Sequence, residues 1–139
     1  MEGNNVVLAF LSKSFHESVK TKTAFFFENF YLGEGESSFD KTAQHLFYSR
    51  PKGVYRKSKA GKILVDFYLL NTFLAEDGNK VKLTIDEVDF LIPHWNAYFV
   101  EGLSVGVHNF RIQLIDKDGE LIDGPFNDSG IRSIEIIED

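Results

Sequence analysis

Six cations stand within residues 50–62 (Arg50, Lys52, Arg56, Lys57, Lys59 and Lys62), and no carboxylate interrupts them. The chain as a whole carries a net charge of −6, so this stretch is a local reversal of sign. Guanidinium and ammonium groups suit phosphate, sulfate or an anionic glycan, arginine through its planar fork of donors. Tyr48 and Tyr55 lie among these cations, and ring stacking would favour a sugar or a base. Arg50, Lys52, Tyr55 and Arg56 are therefore the expected ligand-binding residues. The competing account is a solvated loop whose charges keep a sheet edge from pairing with another chain.

Other chemistry is sparse. No two of His16, His45, His94 and His108 stand at His-x-His or His-x3-His spacing. Each is expected to bond backbone at a strand end, and neither a metal site nor a cofactor is expected. Asp116-Lys117-Asp118-Gly119-Glu120 places carboxylates around a glycine as a calcium loop does, but Pro125 stands where the bidentate glutamate belongs. A hairpin turn accounts for it. A serine nucleophile needs a base and an oxyanion site, yet no Gly-x-Ser-x-Gly elbow occurs, nor a Gly-x-Gly-x-x-Gly or P-loop pattern. Glu87 and Asp89 share a strand face and read as solvated carboxylates. The absence of cysteine excludes disulfides, thiolate metal sites and a cysteine nucleophile. The expectation is a protein that is not an enzyme. Trp95, Tyr98, Tyr31 and Tyr68 make a second candidate surface, since rings on an outer sheet face stack on pyranoses. Packing against the N-terminal strands would account for them equally well.

The elements that must position these residues are strands. In Lys62–Ile92 every second residue of Ile63, Val65, Phe67 and Leu69 is apolar, with Asp66 and Tyr68 on the other face. Asp77-Gly78-Asn79 permits a reversal, and Val81, Leu83 and Ile85 alternate again, so a hairpin and a third strand are expected here. Further strands are expected over 5–12, 23–32, 44–48, 95–100, 109–115 and 131–137, with turn-like stretches at 12–22 and 33–38. A bend is expected at Ser49–Gly53, because Pro51 disfavours helix at Arg50. Fourteen Phe and an apolar content of 43% exclude a disordered chain and favour strand. No run approaches the ~18 apolar residues of a membrane helix, and no export signal is expected at the N-terminus. The acidic balance disfavours a nucleic-acid partner. The expected fold class is all-β, a sandwich of about seven to nine antiparallel strands.

Asn5–Leu11 can be laid over Asn109–Ile115, each shortly after a glycine (Gly3, Gly106). On that match residues 1–38 hold an N-terminal strand pair left from a preceding sandwich module, and 39–139 a complete domain. An orphan strand pair needs a partner, so a homodimer through these strands or a domain swap is expected.

Tyr98–Phe110, an aromatic strand meeting a Gly-Leu-x-x-Gly-x-His corner, resembles immunoglobulin-like and fibronectin-like modules. His45–Gly53 together with Gly124-Pro125-Phe126-Asn127 resembles two-module bacterial cell-envelope proteins, often lipid-anchored and sometimes catalogued as phosphopeptide-binding. The Gly-Arg turn and Ser-x-x-His step of a forkhead-associated domain do not occur here; Ser12-Lys13-Ser14-Phe15-His16 is spaced differently. The resemblance implies an immunoglobulin-like sandwich, a periplasmic or cell-surface location, and a non-catalytic binding or assembly role toward a protein or glycan. Against that family the chain is expected to lack the leader and most of the first module.

Overall fold

A computed structural model describes all residues except Met1, Lys22, Glu36 and Ser37. Lys22 ends the expected 12–22 turn, and Glu36 and Ser37 belong to the expected 33–38 loop, so these parts lie outside the described residues. The chain divides into two compact units, residues 1–43 and 44–139. Among the described residues all regular structure is strand, apart from a 3-10 turn at Lys57–Lys59. The protein is all-β.

The first unit is an antiparallel pair, β1 (Gly3–Phe10) and β2 (Phe25–Leu32), in register from Gly3 opposite Leu32 to Phe10 opposite Phe25. The second unit holds β3 (His45–Arg50), β4 (Gly53–Arg56), β5 (Ile63–Leu70), β6 (Lys80–Ile85), β7 (Val88–Ile92), β8 (Tyr98–Val100), β9 (Gly106–Ile115) and β10 (Arg132–Ile137). They form one sheet in the order β3-β5-β8 and another in the order β4-β10-β9-β6-β7. Every pair is antiparallel except β4 with β10, which run parallel.

Both sheets feed one core. Ile63, Val65, Phe67 and Leu69 from β5 meet Val81, Leu83 and Ile85 from β6, Phe110, Ile112 and Leu114 from β9, and Ile134 and Ile136 from β10. These are the inward positions that alternation predicts. The expected 62–92 hairpin is not formed as such: β5 and β6 belong to different sheets. The nine residues between them span from one layer to the other, with a turn closed by Gly78 N–H to the Ala75 carbonyl at 3.2 Å. The tight hairpin is β6–β7, whose two turn residues Asp86 and Glu87 both have positive φ (46° and 72°). The expected outer-face residues Asp66 and Tyr68 are buried as well.

Asn127 is the buried polar tie of the second unit. Its Oδ1 accepts the Leu46 N–H at 2.8 Å, and its Nδ2 donates to the carbonyls of Gln44 and Ile122 at 3.0 and 3.1 Å. The side chain thus fastens the loop after β9 to the start of β3. A Cβ on Gly124 would lie 2.5 Å from Asn127 Nδ2, so the tie also requires a glycine there.

Hydrogen bonds of the loop and ladder pairs of the first unit recur in β9–β10, which carries one more residue between Asn127 and the β10 ladder. Leu11 N–H bonds Ala24 O and Val19 N–H bonds Leu11 O, at 2.8 and 2.9 Å; Leu114 N–H bonds Asn127 O and Ile122 N–H bonds Leu114 O, also at 2.8 and 2.9 Å. Lys13 N–H to Glu17 O matches Asp116 N–H to Glu120 O, both 2.9 Å, and the isolated bridge Ser12–Ser18 matches Ile115–Leu121. His16 and Gly119 occupy the same left-handed position, φ 70° and 86°. In the ladders Gly3 opposite Leu32 corresponds to Gly106 opposite Ile136, and Asn5 opposite Phe30 to His108 opposite Ile134. The sequence match over Asn5 and Asn109 is therefore one residue out of register. Because strand side chains alternate, that slip reverses which face is equivalent to the core. The true counterparts of Phe110, Ile112 and Leu114 are Val7, Ala9 and Leu11.

Phe110→Ala is expected to destabilise the second unit by ~3–5 kcal/mol through lost burial and a cavity. Asn127→Ala should cost about 1–3 kcal/mol, because it leaves the Leu46 N–H unsatisfied in the interior. Urea unfolding followed by Trp95 fluorescence measures both.

Candidate functional site

The four residues expected to bind an anion lie on and between β3 and β4. Arg50 ends β3, half-buried, while Lys52 and Arg56 are exposed on either side of Tyr55. Tyr55 packs against the core, and its hydroxyl accepts the Lys52 N–H at 3.3 Å. Lys52 and Tyr55 are thus brought together, but no hydrogen bond among the described residues joins Arg50 or Arg56 to them. The neighbouring cations face the protein's own acids. Lys57 lies 3.4 Å from Glu138, Lys62 lies 3.4 Å from Glu101, and the Ser58 N–H and hydroxyl donate to Asp139 at 3.1 and 2.6 Å. Tyr48 donates to the Pro51 carbonyl and lies under the Arg132 guanidinium, 5.6 Å from the ring centroid.

The aromatic candidates on the second unit also turn inward. Trp95 is half-buried, donates Nε1–H to the Phe67 carbonyl at 2.9 Å, and meets buried Tyr68 edge-on at 5.0 Å. Tyr98 donates to the His94 carbonyl at 2.7 Å, and burial pushes the Tyr68 and Tyr98 hydroxyls above their usual pKa. Large rings with a polar tip pack well once that tip finds a backbone acceptor. Only Tyr31, on β2, is exposed. The Asp116 carboxylate accepts the N–H groups of Asp118 and Glu120 at 2.9 and 3.0 Å, which is turn chemistry. Asp89 accepts the Thr84 hydroxyl at 2.6 Å, and Glu87 sits in the β6–β7 turn. Among the described residues no three His, Asp or Glu side chains converge in metal-binding geometry.

Two polar clusters were not legible from sequence. His108 places Nδ1 2.6 Å from Asp86 Oδ2 and Nε2 2.8 Å from the Ser104 carbonyl. Both ring nitrogens face acceptors, so both carry protons in the best-bonded state, an imidazolium. The Asp86 carboxylate, then the Ser104 carbonyl, raise the His108 pKa above 6.5. The Asn109 N–H and His108 hold Asp86 below 3.8. This pair resembles a catalytic dyad in its contacts but presents no nitrogen to a substrate, because Ser104 occupies the second one. It is a clasp between the β6–β7 turn and the strand β9. The second cluster is a fork: Arg111 Nε donates to Asp128 Oδ1 at 2.9 Å, Nη2 donates to Oδ2, and Gln113 adds a bond at 3.1 Å. The Arg111 guanidinium leads the causes that hold the Asp128 carboxyl down at about 2. A carboxylate in a two-residue strand turn was the only available signal for the clasp.

The most unusual surface is on the first unit. One face of the strand pair carries Val7, Leu11, Phe26, Phe30 and Leu32, which are 44%, 65%, 61%, 42% and 46% exposed. In the second unit the corresponding β9 and β10 residues Phe110, Leu114, Ile134 and Ile136 are at most 2% exposed. Equivalent backbone thus presents a dry face in one unit and a wet one in the other. On the opposite face Val6, Leu8, Phe10, Phe25 and Phe27 are half-buried, and Phe27 meets Phe39 at 5.3 Å. A smaller apolar strip, Val88, Phe90 and Leu91, lies exposed on the edge strand β7.

No protein-family model matches the chain, and no curated protein is significantly similar to it. No helix among the described residues is long and apolar enough to cross a membrane.

The clasp should titrate. Its His108 contribution is fully present below pH 6.5 and is lost as pH rises through the raised folded value. The Asp86 contribution is present above pH 3.8 and is lost as pH falls through the lowered folded value. The stability difference between the natural chain and Asp86→Asn is therefore expected to peak between these limits and to narrow on the alkaline side. For Asp128→Asn the difference should persist at alkaline pH and vanish only as pH falls toward 2. Urea midpoints across pH test both, and a difference for Asp86→Asn that is flat into alkali would dismiss the His108 account.

Proposed function

We propose that this chain is a non-catalytic assembly module: an immunoglobulin-like β-sandwich over 44–139 that carries an N-terminal strand pair as its docking element. The strand order β3-β5-β8 over β4-β10-β9-β6-β7, with one core between the sheets, supports the sandwich reading. The observation that carries the functional reading is the wet face of Val7, Leu11, Phe26, Phe30 and Leu32. A two-stranded sheet is marginal in water, and an apolar face of this extent marks an interaction surface. The correspondence with β9–β10 supports reading the strand pair as the closing half of a second module of the same type. The bacterial envelope location that the resemblance implies belongs to the same proposal. A glycan or anion site at 50–62 has less support, since Lys57 and Lys62 are answered by Glu138 and Glu101 and Tyr55 faces the core.

Hydrogen exchange in dilute solution tests the reading. The β1 and β2 amides are expected to exchange far faster than those of β5, β6 and β9, whose opening approaches global unfolding. Equal protection in both units at sub-micromolar concentration would mean the strand pair needs no partner, and would dismiss the assembly role.

A further inference from the structure

Resting on that reading, we infer that the partner is a second copy of this chain, docked through the Val7–Leu11–Phe26–Phe30–Leu32 face about a two-fold axis. The second unit shows what a strand pair of this geometry takes on its inner face, namely the apolar face of another antiparallel sheet. It also shows how the rest of a module is tied to that pair. Asn127 fastens the loop to the first strand, and His108 fastens the long strand to the β6–β7 turn.

The residues that make these ties are not repeated in the first unit. Ala24 stands at the position of Asn127, and Thr21 at that of Gly124, where a Cβ would meet the Asn127 amide. Asn5 stands at the position of His108 and turns its amide onto the Gly3 carbonyl at 2.8 Å. The Asn127 and His108 side chains are not repeated at these positions, while an apolar face is. Such a face fits a partner that offers the same thing, and the same face of a second copy does.

Charge and size agree. Glu28 is the carboxylate on this face, and its ion pair with Lys41 answers its charge, so two copies can meet without two bare carboxylates opposed. The exposed portions of the five side chains amount to roughly 500 Å² per copy, or about 1,000 Å² for a two-fold pair, the size from which specific interfaces begin. Phe26 and Phe30 supply the aromatic anchors that such interfaces concentrate at their centres.

Light scattering of the full chain between about 1 and 500 μM decides the question, because an isologous contact follows mass action. The expected result is a dimer, weakened at least ~100-fold by the double change Phe26→Thr and Phe30→Thr. These threonines retain strand propensity, and the Trp95 unfolding transition of the second unit should be unchanged. Leu91→Thr on β7 should remain dimeric. Should the double variant aggregate, Val7→Cys replaces it: the chain has no cysteine of its own, so oxidation joins two copies only if the faces meet. A disulfide-linked dimer from Val7→Cys, with none from Leu91→Cys, supports the proposal. A mass that stays monomeric throughout overturns it, as does a dimer broken by Leu91→Thr or indifferent to the double change. A monomer whose β1 and β2 amides exchange rapidly would overturn only the second-copy partner. Protected amides in a dilute monomer would remove the assembly role itself.

Discussion

Keeping water off the inner face of β9 is the constraint around which the second unit is arranged. Phe110, Ile112 and Leu114 project from the long central strand, and every other inward side chain of the core meets them or their neighbours. β10 and β6 supply the hydrogen bonds on its two sides, and the β3-β5-β8 sheet supplies the lid. Burial of apolar area at ~25 cal/mol per Å² makes this the dominant favourable contribution. The polar ties are subordinate to it in energy but not in specificity. Asn127 and the His108–Asp86 clasp act at the two ends of β9, where loops must be held over the core without leaving buried donors unpaired.

The first unit is informative because it repeats much of the same backbone with the corresponding face exposed. Ladder register, loop hydrogen bonds and the left-handed turn residue all correspond. Backbone geometry of a strand pair is therefore indifferent to whether its face is covered; the side chains are not. Val7 and Phe30 are exposed at the positions that Phe110 and Ile134 fill in the core, and Ala24 stands where the second unit has Asn127. The second unit offers partners for Lys57 and Lys62 and buries the rings of Phe67, Tyr68 and Phe110. The exposed face of the strand pair is what distinguishes the first unit.

Much of the architecture was legible in the sequence. Period-two alternation identified the inward residues of β5, β6 and β9 one by one, since a strand buried on one face must alternate. The chemistry was harder to read. The run of cations from Arg50 to Lys62 is visible along the chain, while Glu101, Glu138 and Asp139, which answer Lys62, Lys57 and Ser58, stand far off in sequence. The β5–β6 hairpin failed for a related reason: Asp77-Gly78-Asn79 signals a reversal, but not whether the returning strand pairs in the same sheet or crosses to the other.

The sequence by itself determined the all-β class, the inward set and the presence of two similar strand segments, because these depend on local periodicity and composition. The one-residue correction of the repeat, from Asn5 over Asn109 to Asn5 over His108, came only from tertiary structure. A shift of one along a strand changes almost nothing in composition, yet it exchanges the two faces. Which face is exposed is set by pairing register and by what packs over it.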